Sequence, residues 1–399
     1  MSTTPPPLKG TLASFEGLTF IEIAEGIAGP MCGLYLADLG ATVIKIEPPG
    51  GDRTREWGPP MIGDTAAIFC HLNRGKQSVG LDLAAAAGKA ALEAMLARAD
   101  GVIFHADPDS RAELALDWDA YVDRFPRLVV VDINDLGETG PFKDLPGSEL
   151  VVQAMSGFTR YVGESGGAPC RVGYEIAWVG AGIHAHQALL AGVLHVKAGG
   201  PGQIVRVSIL KALMSMKSIL LAAQVEPDAW LGFHLNGPRW LPDCGWRTLD
   251  GQVTYDFRHG ERDNWAKFVA SIGLGRLTDD PVYNDWRSTI YIGDRRHTAG
   301  KVYEPWFATV TCQEASDRIN GMGGISVKFH NYHETLANEQ VQILNPTATV
   351  DSPHAAEREQ LGRALKFVTA REKPLGRAPR LGEHTEAVLA SLRSAGGTR

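Results

Sequence analysis

The hydrophobic pattern opens with a short β-branched run, Leu18–Ala24, that reads as a buried strand. A glycine-proline turn over Gly26–Pro30 follows, with Pro30 at a favourable helix start. Met31–Leu39 then carries a helical pattern that Gly40 closes, and Thr42–Ile46 is a second strand. Further on, Ala84–Ala97 is helical, Val102–Phe104 is apolar, Arg111–Arg124 is helical and Leu128–Asp132 is apolar again. Strands alternating with helices at this spacing predict βαβ units and a mainly parallel sheet with right-handed crossovers.

Ala181–Lys197 reads as a long buried helix, stopped by Gly199-Gly200-Pro201-Gly202 ahead of a strand at Ile204–Ile209. From about Asp228 the character changes. Trp240, Trp246, the Asp250-Gly251 turn and Val253–Phe257 predict a hairpin in a smaller α+β domain, with helices over Asp263–Ile272 and Cys312–Asn320. Ser326–Phe329 reads as a β-like stretch leaving that domain. The tail, through Arg363–Val368 and a helical Thr385–Leu392, is expected to pack back on the first domain. The expected division is a large domain over 1–225, a small one over 226–328 and a return segment over 329–399.

Composition narrows the class. A chain of 399 residues exceeds the usual limit of one hydrophobic core, which agrees with two domains. With 44% hydrophobic and 21% charged residues the chain is globular in character. A net charge of −7 without a basic block argues against nucleic acid. Five scattered cysteines with no CxxC pair fit a reducing compartment rather than zinc or redox work. No basic region followed by an apolar stretch opens the chain, and no apolar run reaches the ~18 residues of a membrane helix. A cytoplasmic location without membrane contact is expected.

Several residues invite a chemical role. His184 and His186 stand at i and i+2, which do not share a helix face, so no metal site is expected. A free Cys170 reads more readily as a small apolar residue than as a nucleophile. The first strand and helix lack the G-x-G-x-x-G of a dinucleotide site, since Gly26 and Gly29 are wrongly spaced. His384, beside Thr385, reads as a hydrogen-bonding residue at a helix start.

A set of short motifs points further: Ala28-Gly29-Pro30; Leu36-Ala37-Asp38-Leu39-Gly40-Ala41-Thr42-Val43-Ile44-Lys45-Ile46-Glu47; Asn73-Arg74-Gly75-Lys76 with Leu81-Asp82-Leu83; Gly137-Glu138-Thr139-Gly140-Pro141; Gln153-Ala154-Met155-Ser156-Gly157; Gly200-Pro201-Gly202-Gln203; and Arg380-Leu381-Gly382-Glu383-His384-Thr385. In this order they resemble the family III CoA-transferases, also called the CaiB/BaiF or formyl-CoA-transferase family. The resemblance implies a large Rossmann-like domain, a smaller domain and two subunits interlocked like chain links. It also implies a carboxylate nucleophile that attacks a CoA thioester, forms an acyl anhydride and then carries CoA as a thioester.

The segment Pro169-Cys170-Arg171-Val172-Gly173-Tyr174-Glu175-Ile176-Ala177-Trp178 resembles the family's active-site stretch, and Trp178 stands where the resemblance puts the catalytic aspartate. An indole is neither a nucleophile nor an acyl carrier. The α-methylacyl-CoA racemases, relatives that use a His and an Asp, would need them at Ser148 and Trp178. Glu175 and Glu149 are the nearest carboxylates and the candidate substitutes. The positions that the resemblance assigns to CoA contact are Ile27, Ala28, Pro48, Leu81, His105 and Ala106. Pro48 follows Lys45-Ile46-Glu47 where many members carry arginine, and Phe104-His105-Ala106-Asp107-Pro108-Asp109 replaces a Glu-Asn-Phe-x-Pro-Gly stretch. The added negative charge opposes a phosphate-rich ligand.

The resemblance therefore implies a degenerate, non-catalytic subunit with no tightly bound cofactor. Its expected partner is a homologous chain that carries the aspartate and binds the CoA thioester. The resemblance is to heteromeric members such as succinyl-CoA:benzylsuccinate CoA-transferase of anaerobic aromatic degradation. The acyl-CoA donor would be succinyl-CoA and the acceptor a carboxylate. The alternatives are a homodimeric CoA-transferase or acyl-CoA isomerase with a replaced nucleophile, and an acyl-ligand binding protein.

Overall fold

The computed structural model describes residues 15–161, 168–216, 245–257, 261–280, 296–351, 358–368 and 374–394. The chain divides into two compact units, one of Met1–Phe158, Arg171–Leu221 and Leu344–Arg399, the other of Thr159–Cys170 and Ala222–Ile343. The expected boundary at 225 and the expected landmark Trp240 lie outside the described residues.

The first unit begins β1 (Thr19–Ala24), α1 (Ala28–Asp38), β2 (Thr42–Glu47), a small hairpin β3 (Met61–Ile62) and β4 (Thr65–Ala66), α2 (Ala67–Leu72) and β5 (Gln77–Gly80). It continues α3 (Ala86–Leu96), β6 (Gly101–His105), α4 (Pro108–Leu114), α5 (Trp118–Arg124), β7 (Val129–Asn134), α6 (Glu149–Met155), α7 (Ile176–Lys197), β8 (Gln203–Ser208) and α8 (Ile209–Met216). Six strands form one sheet in the order β5-β2-β1-β6-β7-β8, with every neighbouring pair parallel. This is the doubly wound Rossmann order, and its direction reverses between β1 and β6.

Continuous apolar strands account for a sheet buried on both faces. Phe20, Val43, Ile103, Val129 and Val131 pack with α1, α7 and α8 on one face. Ile21, Ile44, Ile46, Val102, Phe104 and Val130 pack with Leu92, Met95 and Trp118 on the other.

Two elements depart from the sequence pattern for local reasons. The helix expected over Arg111–Arg124 is two: Ala115 turns left-handed (φ 45°) and Asp117 caps the second by accepting the Ala120 N–H at 3.0 Å. The helix expected from Ala181 starts at Ile176, because a carboxylate from elsewhere caps it. This α7, at 22 residues, is by length and composition apolar enough to cross a membrane, contrary to the expectation that no run reaches that size. Here Ala177, Ala181, Ala185, Leu189 and Val193 are buried in the core against α1, β7 and β8.

A buried ion network joins three strands that are adjacent in the sheet, β1, β2 and β5. Glu22 on β1 accepts from Lys45 of β2 (3.1 Å) and from Lys76 just before β5 (2.7 Å), all three side chains being fully buried. Lys45 also meets Asp52 (2.7 Å) and the Ala24 carbonyl (2.6 Å). Glu47 takes a bidentate Arg55 at 2.7 and 2.8 Å, and the same guanidinium lies 3.8 Å over the Phe69 ring. Three carboxylates thus face three cations. Lys45, with three carboxylates around it, is held above the usual lysine value despite burial; Lys76, mainly through burial and with fewer carboxylates to offset it, falls to about 8.

The return segment closes the first unit. Arg74 holds Asp38 through two hydrogen bonds (3.1 and 2.6 Å) and donates to the Leu361 carbonyl at 2.6 Å.

The second unit contains β9 (Trp246–Arg247), β10 (Gln252–Asp256), α9 (Glu261–Ser271), α10 (Arg296–Phe307), α11 (Cys312–Asn320), β11 (Ile325–Lys328), and two short helices α12 (Tyr332–Ala337) and α13 (Glu339–Leu344). Its antiparallel sheet runs β11-β10-β9, and Trp246, Tyr255, Trp265, Phe268 and Phe307 form its core. The stretch near Ser326 therefore does not leave this unit: β11 pairs with β10, Val253 opposite Lys328, and the unit extends to Ile343. After it come β12 (Thr347–Val350), its antiparallel partner β13 (Arg358–Leu361), and α14 (Thr385–Ser394). Thr385 Oγ1 accepts from the Gly80 N–H at 2.9 Å and Val388 joins the core over α3, so α14 packs on the first unit.

Removing one member of the network leaves a buried charge uncompensated. Glu22→Gln is expected to cost about 3–5 kcal/mol in urea unfolding. Acid adds a second test. Burial, with Arg74 nearby, lowers His71 to about 4, and burial lowers His186 to about 4, from 6.5. A folded value below the unfolded one means stability present above pH 6.5 and lost as pH falls toward 4. The His71→Gln, His186→Gln double variant is expected to lose less stability across that window.

Candidate functional site

A parallel sheet presents its strand ends as a crevice where the strand order reverses, and ligands of such folds bind there. A cleft of about 610 Å³ occupies this place. Its walls come from the segments after β1 (Ala24, Glu25, Gly26), β2 (Pro48), β5 (Leu81–Ala84), β6 (His105 to Leu114) and β7 (Asp135, Pro146, Gly147), with Trp178 from α7.

Five of the positions singled out in the sequence meet here: Pro48, Leu81, His105, Ala106 and Trp178. Ile27 and Ala28 do not line the cleft. Ile27 packs on Leu34 and Leu72, and Ala28 is fully buried under the sheet, because the first turn of α1 directs them into the core.

Trp178 stands in the first turn of α7. Its ring would lie 3.5 Å from a Cβ added at Gly26, and Trp57 would lie 3.8 Å from the same point. Gly26 has φ +77°, a conformation that L side chains rarely adopt and glycine adopts freely, so the turn closes beside both indoles. Trp178 also meets His105 edge-on, with ring centroids 5.3 Å apart.

His105 ends the central strand β6 and is buried. Its Nε2 lies 3.2 Å from Asp135 Oδ1 and its Nδ1 lies 3.4 Å from the Glu25 carbonyl. The other Asp135 oxygen accepts the Gly147 N–H at 2.7 Å. A Cβ at Gly147 would come within 2.5 Å of Asp135 Cβ, so glycine is needed for this approach. His105 and Asp135 thereby tie together the ends of β1, β6 and β7. Each ring nitrogen lies within hydrogen-bond distance of a protein oxygen.

The charge of the cleft is one-sided. Glu25, Asp82, Asp107, Asp109, Glu113, Asp135 and Asp144 line it, against a single Arg or Lys among the described lining residues, Arg53. Arg53 is shared between Glu25 (2.7 Å) and Asp107 (3.5 Å). Partial burial works against ionisation of Asp107, but two Ser110 hydrogen bonds and Arg53 hold its carboxyl below the usual value. Arg111, the next cation, points elsewhere: it pairs with Asp132 at 2.7 Å and donates to the Ala106 carbonyl at 2.9 Å.

Neither candidate substitute carboxylate lines the cleft. Glu149, buried, spends its oxygens on the start of α7: Oε1 accepts the Ala177 N–H (2.9 Å) and the Gln153 amide (2.7 Å), and Oε2 accepts the Trp178 N–H (3.2 Å). This is the cap that lets α7 begin at Ile176. Glu175 is half-buried and meets Arg171 at 3.3 Å. Ser148 caps α6 by accepting the Val151 N–H. Sequence reasoning missed Trp57, Arg53 and Asp135. The only signal for Asp135 was its place just past an apolar strand; Trp57 carried none.

Comparison with known proteins places these residues in context. The model of CoA-transferase family III matches residues 15–385. The chain is 37% identical over 294 residues to a succinate–glutarate CoA-transferase of Agrobacterium fabrum, covering 71% of this chain and 70% of that protein. It is 24% identical over 390 residues to the human succinyl-CoA:glutarate CoA-transferase, covering 96% of this chain and 87% of that one. The crystal structure of a CaiB/BaiF family protein from Brucella suis superposes with a TM-score of 0.79 at 23% identity, over 96% of this chain and 100% of that one.

If Glu149 serves α7 as a cap, Glu149→Ala strands the Ala177 and Trp178 N–H groups. The expected loss is about 2 kcal/mol in urea unfolding, with Glu149→Gln losing less because one acceptor oxygen remains.

Proposed function

The chain belongs to CoA-transferase family III, and on that premise we propose that it is the non-catalytic subunit of a heteromeric transferase. In this reading a homologous partner carries the aspartate nucleophile and binds the CoA thioester. The present chain supplies the interlocked scaffold. The donor is succinyl-CoA and the acceptor a dicarboxylate, the class to which the glutarate named for the two relatives above belongs. Benzylsuccinate, the acceptor implied by the sequence resemblance, is a dicarboxylate of the same kind.

The observation that carries this reading is the identity of one side chain at one place. Trp178 stands in the first turn of α7, at the mouth of the switch-point cleft, where the family resemblance calls for a carboxylate. The surrounding carboxylates support it. CoA brings several negative phosphate charges, and each would meet this lining without a free cation to offset it. The alternative of a homodimer with a substitute nucleophile draws no support from Glu149 or Glu175, since one caps a helix and the other faces outward.

Tagged in its native host, the chain is expected to purify with a second, different chain of the same family, seen by native mass spectrometry. A homodimer that by itself transfers CoA from succinyl-CoA to glutarate would overturn the reading. Trp178→Asp, prepared in the isolated chain, is expected to restore neither transfer nor a hydroxylamine-sensitive CoA adduct, because the acidic lining remains. A large gain of activity in that variant would show that the tryptophan alone had silenced the site.

A further inference from the structure

The cleft has the electrostatics of a site for a cation. Two indoles, Trp57 and Trp178, line the cleft and both lie within 4 Å of the point that a Cβ on Gly26 would occupy, and an indole face is the strongest aromatic partner of a cation. The strand ends add carboxylates, and one organic cation already sits at the rim: the Arg53 guanidinium, held between Glu25 and Asp107. Asp109 and Glu113, on the wall formed by α4, have no Lys or Arg partner among the described residues. Buried His105 and Asp135 satisfy each other, so the floor is already organised.

We propose that this cleft binds an organic ammonium ion, seated against the indole of Trp178 and neutralised by Asp109 and Glu113. Three separate features point the same way: the cavity, its aromatic wall and the sign of its charge. The inference rests on the reading above in one respect only, that CoA is not the occupant of this cleft. Steering by the acidic wall would raise the local concentration of the cation and weaken with added salt.

The test is calorimetric titration of the full chain with butylammonium chloride at low ionic strength, with 1-butanol as the uncharged probe. Saturable binding of butylammonium is expected, at least about tenfold tighter than butanol. Trp178→Leu is expected to weaken it about tenfold, and the Asp109→Asn, Glu113→Gln double variant by a similar factor. The double variant alters exposed side chains on α4, so it decides the matter even where the tryptophan variant fails to fold. Equal affinity for the two probes, binding that does not saturate by about 10 mM, or affinity unchanged in the double variant would each overturn the proposal. Such a failure leaves the subunit reading untouched, since that one is decided by the second chain in the native complex.

Discussion

Glu22, buried at the centre of the sheet, is the residue on which the rest of the first unit depends. One carboxylate oxygen holds Lys45 on the neighbouring strand and the other holds Lys76, which in turn binds the Pro30 carbonyl in the first turn of α1 and the Asn73 side chain. A charge with no access to water tolerates no unmatched partner, so the network fixes β1, β2 and the approach to β5 against one another. Through Asp52 and Arg55 it reaches the loop after β2, and Arg55 also donates to the Pro379 carbonyl of the return segment. The loop that carries Arg53 and Trp57 to the cleft is thus anchored by ion pairs on both sides of Arg53 and two residues before Trp57.

That anchoring explains why the frame persists where the lining has changed. The motifs Lys45-Ile46-Glu47 and Asn73-Arg74-Gly75-Lys76, which resemble the family pattern, turn out to hold structure: their charged side chains pair with Glu22, Asp38, Asp52 and Arg55 inside the unit. The departures from that pattern, Pro48, His105, Ala106 and Trp178, all line the cleft. Scaffold and lining are separate sets of residues, so the second can alter while the first still folds.

Much of this was legible in the chain. Continuous apolar runs located β1, β2, β6 and β7, and their alternation with helices gave the parallel sheet, because burial on both faces leaves no polar alternation to obscure them. Strand β5 was not foreseen, since Gln77-Ser78-Val79-Gly80 is short and half polar and is held by side chains remote in sequence. The true start of α7 was hidden for the same reason: its cap, Glu149, lies 28 positions before the Ala177 N–H that it accepts. The position of Trp178 was readable from the flanking motif. The aromatic approach of Trp57 and the pairing of His105 with Asp135 were not, because both arise from loops brought together only at the switch point.

Central to the proposed function is the expectation that this cleft does not receive CoA. Titration of the purified chain with CoA by calorimetry tests it most directly. No saturable binding is expected up to about 1 mM, in keeping with an acidic lining and an indole at the site of the missing carboxylate. Binding with a dissociation constant near 1 μM or tighter, lost when the cleft is altered at Gly26 or His105, would contradict the account.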